Sequence, residues 1–303
     1  MTDFHFEINK ILVPYDFSDA AKKALDYASF LAKRTNGEIL LVHVLEGVLG
    51  ASEPLYIEAP INSPIVYEND IIDKCKTDLT VIAQKLQETG PVKITTVTRA
   101  GSAHAKIVKI ANAVKADLIV MGTHGMSGFR RFILGSNTTR VISEATCPVL
   151  SIQESVPNPG FKSILVPFRD EPHSREKVDY AIKMAELFEA DIHVLGIDSD
   201  GGKEAHVKIF REAEQIKTII KKHRINCEIN IITGAHVSDQ ILKHAAAKKA
   251  DLIVIMADMD RMSISEYIMG PVVQQLVNHS HIPVLTIRPT FNANTIDLHG
   301  YGW

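Results

Sequence analysis

The sequence predicts an α/β protein built as two tandem, doubly wound domains, each on a five-stranded parallel sheet. Three observations lead there. Short apolar runs alternate with longer helical patterns in the order βαβαβαβαβ. Runs such as Ile39-Leu-Leu-Val42 are apolar throughout rather than alternating, as strands covered on both faces are. The whole order then occurs a second time. Lys10-Ile-Leu-Val-Pro-Tyr-Asp16 answers Lys162-Ser-Ile-Leu-Val-Pro-Phe-Arg169, and Leu25-Asp-Tyr-Ala28 answers Val178-Asp-Tyr-Ala181. His43-Val-Leu45 answers His193-Val-Leu195, and Lys115-Ala-Asp-Leu-Ile-Val120 answers Lys249-Ala-Asp-Leu-Ile-Val254. Cys147-Pro-Val-Leu-Ser-Ile152 answers Ile282-Pro-Val-Leu-Thr-Ile287. Domains over 1–156 and 161–290 follow, joined by Glu154-Ser-Val-Pro-Asn-Pro-Gly160. The tail 291–303 holds the one tryptophan, Trp303, and reads as a loose terminus or as a segment docked on a domain surface.

In the first half, a strand is expected near 10–15. Ser18 is placed to cap a helix over 19–35, and Asn36-Gly37 to stop it. Ala20, Ala21, Ala24, Leu25, Ala28 and Leu31 make one core-facing stripe on that helix. The second strand falls near 38–44. The passage to the next helix, near 68–89, runs from Gly47 to Asn69 with Pro54, Pro60 and Pro64 inside it, where the second half needs only Asp198 to Lys203. It reads as a flap or, since loop length costs little, as a surface insertion. Strands near 92–98, 117–122 and 148–153 and helices near 103–115 and 137–145 complete the domain.

The chain has 303 residues, 46% of them hydrophobic and 23% charged, the proportions of a soluble globular protein. A net charge of −3 gives no electrostatic reason to expect nucleic acid or an anionic membrane as partner. The first residues show neither a basic nor an apolar leader region, and no apolar run reaches membrane-spanning length. Cys75, Cys147 and Cys227 are widely spaced and odd in number, so reduced thiols in a cytoplasmic protein are expected.

Chemistry concentrates in residues 122–136, Gly-Thr-His-Gly-Met-Ser-Gly-Phe-Arg-Arg-Phe-Ile-Leu-Gly-Ser, which follow the buried run Asp117-Leu-Ile-Val-Met121. Glycines at 122, 125 and 135 let a ligand approach backbone N–H groups and permit positive φ. A helix opening at Ser136–Asn137 adds unpaired N–H groups and a positive dipole end. The segment is suited to an anion, above all to nucleotide phosphates.

With these residues the chain resembles the universal stress protein (UspA) family in its tandem form, over about 1–153 and 162–288. Gly122, Gly125, Gly135 and Ser136 match the family's nucleotide signature Gly-x2-Gly-x9-Gly-[Ser/Thr] at every required spacing. The resemblance implies a Rossmann-like fold of the adenine nucleotide alpha hydrolase type, with sheet order 3-2-1-4-5. It also implies pairing of the two domains about a pseudo-two-fold axis through their final strands, for which Val149-Leu-Ser-Ile152 and Val284-Leu-Thr-Ile287 are suited. Further dimerisation of the chain stays open. The ligand crevice would lie where the chain leaves strands 1 and 4 in opposite directions. By resemblance, Pro14, Tyr15, Asp16 and Val42 serve the nucleoside, and Met121, Gly122, Gly125, Gly135, Ser136 and Asn137 the ribose and phosphates of ATP, with or without Mg2+. Asp16 also has a reading as an acid favoured by the first helix's positive end. His124 lies within the glycine loop as a phosphate neighbour without a partner carboxylate evident in sequence. Arg130 and Arg131 would reach a terminal phosphate or stand in solvent.

Aligned on Lys-Ala-Asp-Leu-Ile-Val, the second half replaces Gly122 by Ala257, Gly125 by Asp260 and Gly135-Ser136 by Gly270-Pro271, and Arg169 stands in the place of Asp16. Asp258 and Asp260 would repel phosphate, and Pro271 removes an N–H and the hydroxyl, although proline suits a first helical position. Only the first half is therefore expected to hold nucleotide. The GxxxxGK[ST] and GxGxxG patterns are absent. The histidines of the second half (His193, His206, His223, His236, His244, His279 and His281) match no standard metal spacing, so no metal site is expected. No catalytic residue is identifiable. A stress-associated nucleotide-binding regulator is the leading expectation. The rivals are slow ATP hydrolysis, which needs a water-orienting group not evident here, and a nucleotide-independent interaction module.

Overall fold

The structure, a computed structural model, describes residues 6–46, 64–123, 135–169, 176–198, 201–257, 259–261 and 267–289. The first half runs β1 (Lys10–Pro14), α1 (Asp19–Thr35), β2 (Glu38–Leu45), α2 (Pro64–Glu88), β3 (Lys93–Ala100), α3 (Ala103–Val114), β4 (Leu118–Gly122), α4 (Ser136–Glu144) and β5 (Val149–Ile152). The second runs β6 (Ser163–Phe168), α5 (Glu176–Phe188), β7 (Asp191–Asp198), α6 (Lys203–Lys222), β8 (Cys227–Thr233), α7 (Val237–Ala247) and β9 (Leu252–Met256). It ends with β10 (Met259–Arg261), β11 (Tyr267–Met269), α8 (Pro271–His279) and β12 (Val284–Ile287).

Ten strands form one sheet in the order β3-β2-β1-β4-β5-β12-β9-β6-β7-β8. Each half contributes the order 3-2-1-4-5 with parallel neighbours, and the halves join where β5 meets β12 antiparallel, Leu150 opposite Leu285. This pairing satisfies both final strands, which would otherwise leave open ladder edges. The fold expectation is met: two doubly wound units, related end to end by an antiparallel seam.

The first helix shows why the residues choose these elements. The Ser18 hydroxyl accepts from the Ala21 N–H and closes α1's N-terminus. Asn36 ends the helix in the left-handed region (φ 60°). Gly37 follows because a Cβ there would lie 2.7 Å from the Ile8 carbonyl oxygen. Helix α2 starts at Pro64, earlier than its apolar period suggests, with proline at the first position where no N–H is needed. Residues 47–63 of the long passage lie outside the described residues, as does the tail. A small β10–β11 hairpin, not expected from the sequence, precedes α8 in the second half.

Both apolar layers run across the seam and contain residues of both halves. On one face Phe6 packs on Tyr180 of α5, while Phe161 packs on Tyr27 of α1 (centroids 4.7 and 5.9 Å). Each half thus lends an aromatic ring to the other's helix. Beyond the final strands, the Gln153 amide donates to the Val277 and Asn278 carbonyls at the end of α8, and the Arg288 guanidinium donates to the Glu144 carbonyl at the end of α4. Among the described residues, no helix is long and apolar enough to cross a membrane.

Candidate functional site

At the carboxyl end of β1, the Tyr15 N–H donates to the Val42 carbonyl and carries the β1–β2 ladder one residue past the strand. The Tyr15 ring is buried, which raises its phenol above the ordinary value against the pull of Lys22. The chain then turns through Phe17 in the left-handed region (φ 67°), a strained choice for a bulky residue. Edge-on contacts with Tyr15 and His43 hold it there (centroids 5.3 and 5.0 Å). His43, buried in β2, bonds through Nδ1 to the Tyr15 carbonyl at 2.7 Å, so this nitrogen carries the proton. Asp16 Oδ1 accepts from the Ser18 hydroxyl (2.6 Å) and N–H (3.1 Å). This carboxylate helps to build the turn that presents it.

On the other side, β4 ends at Gly122. A Cβ there would stand 2.9 Å from the Ala20 carbonyl carbon and side chain, so Gly122 lets the strand meet the first turn of α1. Gly135 is tight in a milder way, with the Thr123 carbonyl 3.2 Å from its absent Cβ. Neither glycine has positive φ. The positive-φ argument from sequence is replaced by close approach at these two positions. Three bonds gather the ends of the glycine loop: Thr123 N–H to the Ile152 carbonyl, Gly135 N–H to the Thr123 carbonyl, and the Thr138 hydroxyl to the Gly122 carbonyl (3.0, 3.0 and 3.1 Å). Helix α4 then starts at Ser136 with no side-chain bond capping its N-terminus.

Between these two loops lies a cleft of about 270 Å³. Nine of the residues expected from sequence line it: Pro14, Tyr15, Asp16, Val42, Met121, Gly122, Gly135, Ser136 and Asn137. His124 and Gly125, with Arg130 and Arg131, lie outside the described residues. Seven lining residues were not assigned to the site by the sequence reading, Ala21 and Thr138 among them. Val44, Ala103 and Ile107 extend the apolar wall, Ser18 belongs to the turn, and Glu46 stands at the mouth. The sequence places Ala103 and Ile107 on the third helix, one turn apart, but does not show that this face meets the cleft. Glu46 Oε1 accepts from the Ala103 N–H at 2.9 Å, and its two oxygens lie 3.5 and 3.4 Å from Asn137 Nδ2.

Strand registers correct two of the sequence correspondences. Pro14 pairs with Val42 as Pro167 pairs with Leu195, which places His43 opposite Gly196 in the repeat, three residues from His193. A Cβ at Gly196 would meet Ile209 at 2.7 Å and the Phe168 ring at 3.3 Å, so no imidazole fits there. Gly122 pairs with Ile152 as Met256 pairs with Ile287, so the counterpart of Gly122 is Met256, and Ala257 answers Thr123. By the same count Gly125 answers to Met259, at the start of the hairpin that also holds Asp260. Asp258 lies outside the described residues. Gly270 caps α8 and Pro271 occupies its first turn, as expected. The glycine-lined end of β4 is thus lost in the repeat. Among the described residues, no group of three or more His, Cys, Asp or Glu is arranged to hold a metal ion.

The sequence model of the universal stress protein family matches residues 7–153 and again 160–288. The chain belongs to this family, in its tandem two-domain form. Universal stress protein MJ0531 of Methanocaldococcus jannaschii is 32% identical over 145 residues, covering 48% of this chain and 82% of that protein. MJ0577 of the same organism is 30% identical over 158 residues, covering 48% of this chain and 94% of its own length. A universal stress protein crystal structure from Archaeoglobus fulgidus superposes on 93% of this chain and 99% of its own with TM-score 0.71 at 23% identity, a likeness of fold. These comparisons match this tandem universal stress protein both half by half and along nearly its whole length.

Proposed function

We propose that this tandem universal stress protein is a stress-associated, cytoplasmic regulatory protein that holds one adenine nucleotide, ATP with or without Mg2+, in the cleft of its first half. The observation that carries the reading is the convergence of Pro14, Asp16, Val42, Met121, Gly122, Gly135, Ser136 and Asn137 on a single cleft. The groups fit the ligand's chemistry. Val42, Val44, Ile107 and Met121 form an apolar wall for a base. The uncapped first turn of α4 offers N–H groups and a positive dipole end for phosphates, and Ser136 adds a hydroxyl. Asp16 accepts from the nucleoside at the turn that Phe17 and Ser18 hold. On the same reading His124 and Gly125 of the glycine signature are assigned to the phosphates.

The second half, over 161–290, acts as packing and regulatory partner to the first, over 1–156. Replacement of the glycine at the strand end by Met256, and of Ser136 by Pro271, supports that division. Calorimetry with Mg·ATP on nucleotide-free protein tests the reading. Wild type should bind, and Ser136→Ala, which keeps the helix and loses one phosphate donor, should bind about tenfold more weakly. Absence of binding to wild type refutes the proposal.

A further inference from the structure

We infer that Glu46 selects ribonucleotides over deoxyribonucleotides by accepting from the ribose hydroxyls. The inference rests on the nucleotide reading and names a residue that reading does not use. Glu46 follows the last residue of β2 and is exposed at the mouth of the cleft. It touches both ends of the binding surface. The Ala103 N–H belongs to the helix that supplies the apolar wall, and the Asn137 amide belongs to the phosphate end. A nucleotide laid with its base on that wall and its phosphates at α4 brings its sugar between them, to the carboxylate.

A carboxylate is acceptor-only and repels phosphate, so in a cleft for an anion it must face donors. The donors a nucleotide offers between base and phosphate are the vicinal sugar hydroxyls. Glu46 accepts from two donors among the described residues, and a carboxylate has about four acceptor positions, so two hydroxyls can be added. Doubly wound dinucleotide-binding sheets place an acid for the ribose at a comparable position, after their second strand.

The test is calorimetry of wild type and Glu46→Gln with ATP, 2′-deoxy-ATP and 3′-deoxy-ATP, each with magnesium and with EDTA. Glutamine keeps an acceptor for the Ala103 N–H, so the fold is preserved. Wild type should bind ATP about fivefold more tightly than either deoxy analogue, as expected for one charge-assisted bond at an exposed rim. Glu46→Gln should bring that ratio to about one, mainly by weakening ATP. An undiminished ratio in Glu46→Gln, or no discrimination by wild type that binds ATP, overturns this inference and leaves the nucleotide reading standing. A loss equal for all three ligands that vanishes in EDTA assigns Glu46 to the cation and also overturns it. Failure of wild type to bind ATP at all overturns both.

Discussion

Substituting Gly122 by alanine separates what this glycine does for the fold from what it does for a ligand. The added Cβ would lie 2.9 Å from the Ala20 carbonyl carbon and side chain and 3.1 Å from the Ala21 nitrogen. Ordinary carbon contacts begin near 3.5 Å, so strand end and helix must part by about 0.6 Å. The atoms met are mostly backbone in the first turn of α1, which cannot swing aside as a long side chain would. Overpacking of this kind costs about 1–3 kcal/mol. For a chain of this size that is a fall in melting temperature of roughly 5 °C. The assay is denaturant and thermal unfolding of nucleotide-free protein. Gly160→Ala is the control, since nothing lies within 4 Å of its added Cβ. Gly135→Ala should fall between the two, with one contact at 3.2 Å. If Gly122→Ala unfolds within about 0.5 kcal/mol of wild type, the close-approach argument is wrong and the glycine is there for the ligand alone.

Three further outcomes follow from the packing and the charges. Removing the reciprocal bonds in Gln153→Ala/Arg288→Ala should cost about 1–2 kcal/mol in equilibrium unfolding, since each bond ties a final strand of one half to a helix end of the other; a neutral double variant would show that these bonds do not hold the halves. Glu38 is held below the ordinary glutamate value first by its bond from Lys93 at 2.5 Å, with Lys10 at 3.7 Å adding to it. Because the folded value is the lower one, its stabilisation is present above the unfolded value and is lost as pH falls through the folded one. The stability gap between wild type and Glu38→Gln should therefore close as pH drops below about 4, and a gap constant from pH 7 to 3 would contradict this. Burial raises all three thiols, Cys147 and Cys227 up to about 11, and Cys227 is buried where Cys75 is partly exposed, so at pH 8 a thiol reagent should reach Cys75 first and Cys227 only on unfolding; equal rates for all three in folded protein would refute it.

Local patterns made most of the architecture legible. The apolar run Ile39–Val42 and the alanine stripe of α1 identify their elements because burial on two faces and helical period are written directly in residue order. What escaped depends on contacts distant in sequence. The identical tripeptides at His43 and His193 suggest a correspondence that the strand register shifts by three, because Ile209 and the Phe168 ring fill the space beside Gly196. The one-residue slip at Gly122 has a different origin: counted without a gap from Lys115–Val120 and Lys249–Val254, the sequence itself sets Met256 against Gly122, and the strand register agrees. Helix α2 began earlier than its apolar period showed, because Pro64 is a starting residue rather than a loop residue there. In the cleft, the signature residues were readable through their spacing. Glu46 was not, since it becomes a site residue only when the fold brings the starts of α3 and α4 to it.

The central claim, one nucleotide site in a chain of two similar halves, is tested most directly by counting. Native mass spectrometry of nucleotide-free protein titrated with Mg·ATP should show a single bound nucleotide per chain at saturation, and none in Gly135→Val at the same concentration. Two nucleotides per chain would contradict the loss of the site in the repeat, and none in wild type would contradict the nucleotide reading itself.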